Sequence, residues 1–255
     1  MYAEERQSKI VELVLARGRV SVADLAQEFQ VTNETIRRDL KVLERLRLIR
    51  RLHGGAIPIS SLPAIESGLD ERDHSRAKEK ERIALKAKAF LPQPGGTLAI
   101  DAGSTTAKLV EFIAPDTQLT VLTHGVPIAA RLATVPGLDL HLLPGKVRTT
   151  TQAAVGAVTV QAISKLKLDV VFLGTNGVSV ENGLSTPDPE EAAVKRALVK
   201  CARKVIVLAD SSKLGLTATV GFAELDEIDM IITDAESPVL PIKVLEDYGI
   251  EVLIA

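Results

Sequence analysis

From Ala77 to the C-terminus, short β-branched runs alternate with stretches of helical period, and this rhythm restricts the fold more than any other feature. The runs are Thr97–Asp101, Leu119–Thr123, Leu138–Leu143, Leu168–Leu173, Lys204–Ala209, Met230–Thr233 and Glu251–Ile254. Amphipathic helices are predicted between them over 78–91, 105–114, 127–134, 153–166, 190–202 and 238–247. Strands separated by helices pair side by side and in parallel, because each helix carries the chain back across a sheet face. The expectation is an α/β domain: a mostly parallel sheet covered on both faces.

The first 57 residues follow a different pattern. A helix from Ala3 to about Leu15 places Ile10, Leu13 and Val14 on one face and ends at Arg17-Gly18-Arg19. Ser21 is a good N-cap for a second helix, with Val22, Leu25, Ala26 and Phe29 at helical spacing. After a turn at Gln30-Val31, Thr32 caps a third helix running to about Arg47. Two short amphipathic helices across a tight turn describe a helix-turn-helix, whose second helix enters the DNA major groove. Ile36, Leu40, Leu43 and the stem of Arg47 share the inner face of that helix. Glu34, Arg37, Arg38, Lys41 and Arg45 gather opposite, while Asp39 falls toward the buried side and pairs with a neighbouring cation.

Taken alone, an outward row of cations describes a solvated helix face equally well. The preceding helix, the turn length and a glycine-broken ribbon over 48–57 favour DNA, since such a ribbon can act as a wing. The DNA-contacting set is therefore Thr32, Asn33, Thr35, Arg37, Arg38 and Lys41, with Arg50, Arg51 and His53 from the wing. Charge agrees: residues 1–57 carry +3 and the remainder −5. The organisation expected is a winged helix-turn-helix over 1–57, a polar linker over 58–76 and the α/β domain over 77–255. No apolar run reaches the ~20 residues of a membrane span. The charged opening MYAEERQSKI does not read as a signal peptide, so a cytoplasmic location is expected. Cys201 is the single cysteine, which excludes a disulfide framework and a cysteine-based zinc site. Neither a metal nor a cofactor is expected.

Three polar turns follow strands of the second domain. Asp101-Ala102-Gly103-Ser104-Thr105-Thr106 opens a helix, with small residues for close backbone approach and hydroxyls to donate to an anion. Gly174-Thr175-Asn176-Gly177 and Asp210-Ser211-Ser212-Lys213 end two further strands. Neither a P-loop nor a G-x-G-x-x-G fingerprint is present. Each turn by itself is compatible with a plain helix cap or polar turn. Together, at the carboxyl ends of a parallel sheet, they point to one pocket for a small, polyhydroxylated anion, a sugar phosphate.

The run Val31-Thr32-Asn33-Glu34-Thr35-Ile36-Arg37-Arg38-Asp39-Leu40, then Leu43-Glu44 and His53-Gly54-Gly55-Ala56, resembles the signature of the DeoR family of sugar-operon repressors. The D-x-G-S-T-T, L-G-T-N-G and V-L-A-D-S-S-K turns extend the resemblance over nearly the whole chain. It implies an effector domain similar in fold to ribose-phosphate isomerase and glucosamine-phosphate deaminase. It further implies that Gly103, Ser104, Thr105 and Thr106 hold a phosphate, and that Asp101, Asp210 and Lys213 contact sugar or phosphate. Gly174, Thr175, Asn176 and Gly177 complete that set. His124 stands in Thr123-His124-Gly125 where many members carry Thr-Asn-Ser, so it is expected to tune effector choice. Arg148 is a further phosphate partner, beside a Pro144-Gly145-Lys146 that departs from a more usual double glycine. Glu190, Glu191 and Lys195 are expected behind the ligand-contacting residues or at the surface, with ligand contact as the alternative.

The resemblance implies a double-stranded DNA operator, a sugar-phosphate effector and a dimeric or tetrameric assembly. The opening residues and the T-H-G turn resemble repressors of fructose operons, which makes fructose 1-phosphate the first effector to consider. Alternatives are an isomerase or deaminase using Asp101 or Asp210 as base with His124 assisting, a ligand-free DNA-binding scaffold, and an activator of the same family.

Overall fold

A computed structural model describes residues 3–45, 48–52, 54–58, 68–235, 240 and 242–255. The chain divides into two compact units, residues 1–63 and 64–255.

In the first unit, α1 (Ala3–Arg17), α2 (Val22–Glu28) and α3 (Asn33–Arg45) surround a small core, with β1 (Val20–Ser21), β2 (Ile49–Leu52) and β3 (Gly55–Pro58) forming an antiparallel sheet in the order β1-β3-β2. The helices form where the periodicity placed them, because Ile10, Val14, Leu25, Ile36, Leu40 and Leu43 are all buried together. Each such side chain removed from water contributes about 1.5–3 kcal/mol. Ser21 caps α2 by accepting from the Asp24 N–H at 3.0 Å. Thr32 caps α3 by accepting from the Thr35 N–H at 3.2 Å. Arg47, His53 and the side chain of Arg45 lie outside the described residues.

The second unit begins with α4 (Leu69–His74) and α5 (Ala77–Ala87), followed by β4 (Thr97–Ile100), α6 (Ser104–Leu109), β5 (Thr120–Thr123), α7 (Val126–Leu132) and β6 (Asp139–Leu142). A hairpin of β7 (Lys146–Arg148) and β8 (Ala153–Val155) leads to α8 (Ala157–Ser164) and β9 (Leu168–Leu173). Then come β10 (Gly177–Ser179), β11 (Gly183–Thr186), α9 (Pro189–Cys201), β12 (Ala202–Leu208), β13 (Val220–Ala223), β14 (Met230–Thr233), α10 (Ile242–Asp247) and β15 (Glu251–Ile254). Seven strands form one fully parallel sheet in the order β15-β14-β12-β9-β4-β5-β6. Alternate residues feed two cores: Val171 and Leu173 of β9 face one, Val170 and Phe172 the other. That two-sided burial explains why the strands read as continuous apolar runs.

Three features differ from expectation. The helix expected over 153–166 starts only at Ala157, because Ala153–Val155 pairs as a strand and Gly156, at φ 100°, turns the chain. The segment expected as a linker over 58–76 contains α4, tied to the second unit by the Leu69 N–H donating to Thr150 O at 3.1 Å. A separate antiparallel sheet, β10-β11-β13, was not anticipated. The described part of the last expected helix runs over Ile242–Asp247.

Candidate functional site

On the first unit, α3 presents Asn33, Glu34, Arg37, Arg38 and Lys41 to solvent, with Arg50 exposed on β2. Thr35 is half-buried and its hydroxyl lies 2.9 Å from that of Thr32, so both are engaged at the helix cap. Arg51 leans on Glu44, which also accepts its N–H at 3.2 Å. Beneath this face Asp39, 2% exposed, accepts from Arg6 Nε at 2.6 Å and from Gln7 at 3.0 Å. The hydrogen bond that Arg6 donates to Asp39 holds its guanidinium above its usual pKa. The expected pairing of Asp39 with a cation is thus present, and its partner comes from α1. This pair fixes α3 against α1 and leaves the cations of α3 outward for phosphate and base-edge contacts.

On the second unit, the sheet order reverses direction between β4 and β9. Helices α5, α6 and α7 cover one face, and α8, α9 and α10 the other. The chain therefore opens a crevice at the carboxyl ends of β4 and β9, where open α/β sheets bind ligands. Asp101 ends β4 and is fully buried in that crevice. Its Oδ2 accepts from the Gly174 N–H at 2.9 Å and from Lys195 Nζ at 2.5 Å; its Oδ1 lies 3.0 Å from His124 Nε2. Burial pushes the Asp101 carboxyl up, but the Lys195 charge and the His124 hydrogen bond outweigh it and hold it well below the usual carboxylate range. Lys195 also donates to Gly174 O at 2.9 Å and lies 5.5 Å from the Phe222 ring centre. His124 Nδ1 lies 3.0 Å from Ala154 O. Its Nε2 is contested between the Asp101 carboxylate and the Ala102 N–H, 3.1 Å away.

These contacts draw together Asp101, Gly103, His124 and Gly174. A Cβ added to Gly103 would stand 3.6 Å from the Gly174 Cα, and one on Gly125 would stand 3.1 Å from the Ala102 Cβ. The Thr106 hydroxyl is spent on the turn itself, 2.6 Å from Asp101 O and accepting from the Gly103 N–H. Ser104 and Thr105 are nearly buried, and neither hydroxyl bonds a described residue. A cleft beside them is lined by Leu69, Asp73, Ala102, Gly103, Gly125 and Thr151.

The remaining expected residues are placed differently. Thr175 bonds the carbonyls of Gly177 and Ser185, Asn176 accepts from Thr186, and Gly177 opens β10, so these three shape the β10–β11 hairpin. Arg148 pairs with Glu191 at 2.6 Å and Asp188 at 3.3 Å. Asp210 caps the 3₁₀ turn Ser211–Lys213 and lies 3.4 Å from Arg76 Nε. Lys213 is half-buried on that turn. Lys195 and Glu191 are buried, because their face of α9 packs onto the strand ends, and Lys195 stands behind Asp101, one of the places expected for it. Sequence reasoning missed Arg76 and Lys80. Arg76 donates to Ser211 at 3.1 Å and Asp234 at 2.7 Å, and Lys80 donates to Arg72 O. The only signal for either was their position at the head of a helix following the polar stretch.

Among the described residues, no group of His, Cys, Asp and Glu is placed to hold a metal ion, and no helix is long and apolar enough to cross a membrane.

Comparison with known proteins matches residues 6–62 to a DeoR-like helix-turn-helix domain and residues 75–235 to a DeoR C terminal sensor domain. The glycerol-3-phosphate regulon repressor of Escherichia coli (strain K12) is 34% identical over 252 residues, covering 98% of each chain. The HTH-type transcriptional regulator FruR of Bacillus subtilis (strain 168) is 34% identical over 236 residues, covering 92% of this chain and 93% of that one. The HTH-type transcriptional repressor GlcR of the same organism is 32% identical over 257 residues, covering 100% of this chain and 97% of that one. Among solved structures, ribose 5 phosphate isomerase A from Neisseria gonorrhoeae is 18% identical, with a TM-score of 0.38 over 56% of this chain and 54% of that one. With both of its units matched and relatives aligned along its full length, the chain belongs to the DeoR family and is a DNA-binding transcription regulator, not an isomerase or deaminase.

Proposed function

We propose that this chain represses a sugar-utilisation operon and leaves its operator when a phosphorylated sugar or polyol occupies the crevice between β4 and β9. The observation that carries this reading is the buried Asp101–Lys195–His124 cluster beside the unpartnered hydroxyls of Ser104 and Thr105. The cluster offers fixed polar groups for a polyol, and the Gly103–Thr106 turn offers donors for a phosphate. A relative named for a glycerol-3-phosphate regulon supports a small phosphorylated ligand. Fructose 1-phosphate is the first compound to test. Arg37, Arg38 and Lys41, with Arg50 and Arg51 from the wing, supply the DNA contacts, and a symmetric oligomer sets the half-site spacing. The effector acts by its differential affinity for the DNA-competent and incompetent states.

The test is thermal stability against fructose 1-phosphate, other hexose phosphates, glycerol 3-phosphate, the free sugars and inorganic phosphate. A ligand at a hundred times its Kd adds about 2.7 kcal/mol, a rise of about 5–10 °C for a unit of this size. The same compound should lower affinity for operator DNA. Stabilisation by no phosphorylated compound would overturn the effector reading, and tighter DNA binding with ligand would overturn ligand-driven release.

A further inference from the structure

The segment Leu69–Arg76 crosses the carboxyl rim of the parallel sheet and is fastened at both ends. At one end the Leu69 N–H bonds Thr150 O, beside the β7–β8 hairpin. At the other, Arg76 adopts a left-handed conformation (φ 55°, ψ 40°), which costs a non-glycine residue about 1 kcal/mol or more. That conformation aims its guanidinium at Ser211 and Asp234, beyond the ends of β12 and β14. Lys80, itself 4% exposed, reaches up from α5 to the Arg72 carbonyl in the middle of the strap. Between these anchors α4 is weakly built: six residues, no side-chain N-cap and no buried residue. So short a helix has little stability of its own.

What α4 presents to the cleft is a carboxylate. Asp73 lines the cleft opposite Ala102, Gly103 and Gly125, and it makes no hydrogen bond or ion pair with a described residue. Arg131, whose guanidinium lies 3.9 Å from Glu111, lines the same cleft. Its charge also acts on the Lys80 ammonium, and a half-buried carboxylate repels a second anion placed beside it.

We infer that α4 is a counter-charged strap over the effector crevice: Asp73 occupies the approach to the Gly103–Thr106 turn, and a phosphate ester that binds there drives α4 off the rim. This rests on the effector reading above and names how that site is regulated. The segment preceding α4 continues to the DNA-reading unit, so release of the strap changes the tether of that unit.

The test uses the full chain and two probes, fructose 1-phosphate and glycerol 3-phosphate, with fructose and glycerol as uncharged controls. Asp73→Asn removes the competing charge. It should tighten the phosphate ester that binds the wild type about tenfold and weaken the salt dependence of that binding, with no change for the uncharged compounds. In the wild type, the same ester should speed hydrogen exchange at the Leu69 amide, whose bond to Thr150 O would be broken. Unchanged affinity in Asp73→Asn, or greater protection of Leu69 with ligand, would overturn the strap while leaving the effector reading intact. Failure of both esters to bind the wild type and Asp73→Asn alike would overturn the two together. Binding to Asp73→Asn alone would support the strap.

Discussion

Replacing Asp101 by Asn is the sharpest perturbation of the second unit. Lys195 has a side chain 7% exposed and Asp101 one fully enclosed, so the substitution strands an ammonium group with Gly174 O as its remaining partner. Breaking a buried pair from one side costs about 3–5 kcal/mol, because the surviving charge cannot be rehydrated in place. For a unit the size of residues 64–255 each kcal/mol shifts the midpoint by about 2–4 °C, so melting should fall by roughly 6–20 °C. The double variant Asp101→Asn/Lys195→Met removes the stranded charge and keeps the stem that packs over Phe222. It should recover more than half of the loss, giving a coupling of about 2 kcal/mol or more in a double-mutant cycle. The pH dependence has a definite sign. The folded carboxyl is held below its unfolded value of about 3.9, so its contribution is complete above that pH and fades as pH falls further. Calorimetry of the four proteins at pH 7 and at about pH 2 measures all of this. A loss below about 1 kcal/mol, or additive losses in the double variant, would refute the claim that Asp101 and Lys195 act as a buried charge pair between the end of β4 and α9.

Arg38→Ala should weaken operator binding about 5- to 150-fold in fluorescence anisotropy while leaving ligand-induced stabilisation intact, since its side chain is exposed on α3. Asp39→Ala strands Arg6, whose side chain is 9% exposed, and should destabilise the first unit by about 3 kcal/mol in chemical denaturation. Lys213→Ala should leave operator affinity unchanged and raise the sugar-phosphate concentration needed for release. Burial pulls Lys80 down to about 8, below its unfolded value near 10.4, so the unfolded chain holds more protons between those pH values. Wild-type stability should therefore gain on Lys80→Met as pH rises from 8 to 10, and parallel curves for the two proteins would contradict that burial.

The parallel sheet was legible because its determinants are local. Met230–Thr233 is a largely apolar, wholly buried run and Glu251–Ile254 a largely apolar edge strand, and the limits of both match the sequence reading residue for residue. The β10–β11–β13 sheet was not legible as a whole. Asn182-Gly183, with Gly183 at φ 57°, is a turn signal, but β13 joins from some forty residues downstream. The strand Ala153–Val155 reads as helix because alanine favours helix, and pairing with Lys146–Arg148 overrides that preference.

The effector crevice divides along the same line. Asp101, Gly103 and Gly174 announce themselves as turn residues beside strands, whereas Lys195 joins them from 94 residues away on a helix whose sequence, Pro-Glu-Glu-Ala-Ala-Val-Lys-Arg, reads as an exposed amphipathic surface. Only the crossing of α9 behind the strand ends brings its ammonium to the Asp101 carboxylate. Glu191 moves inward for the same reason, one turn earlier, where it meets Arg148 and Thr151 and takes up the arginine that the turn pattern had assigned to phosphate. Buried charges pair with one another where the fold allows, since each would otherwise stand desolvated and alone. The residues a sequence marks as ligand contacts are thus the ones most prone to be found holding each other. A ligand that enters competes with those internal partners, so the cost of parting them sets how much of its binding energy is left to move the strap and the DNA-reading unit.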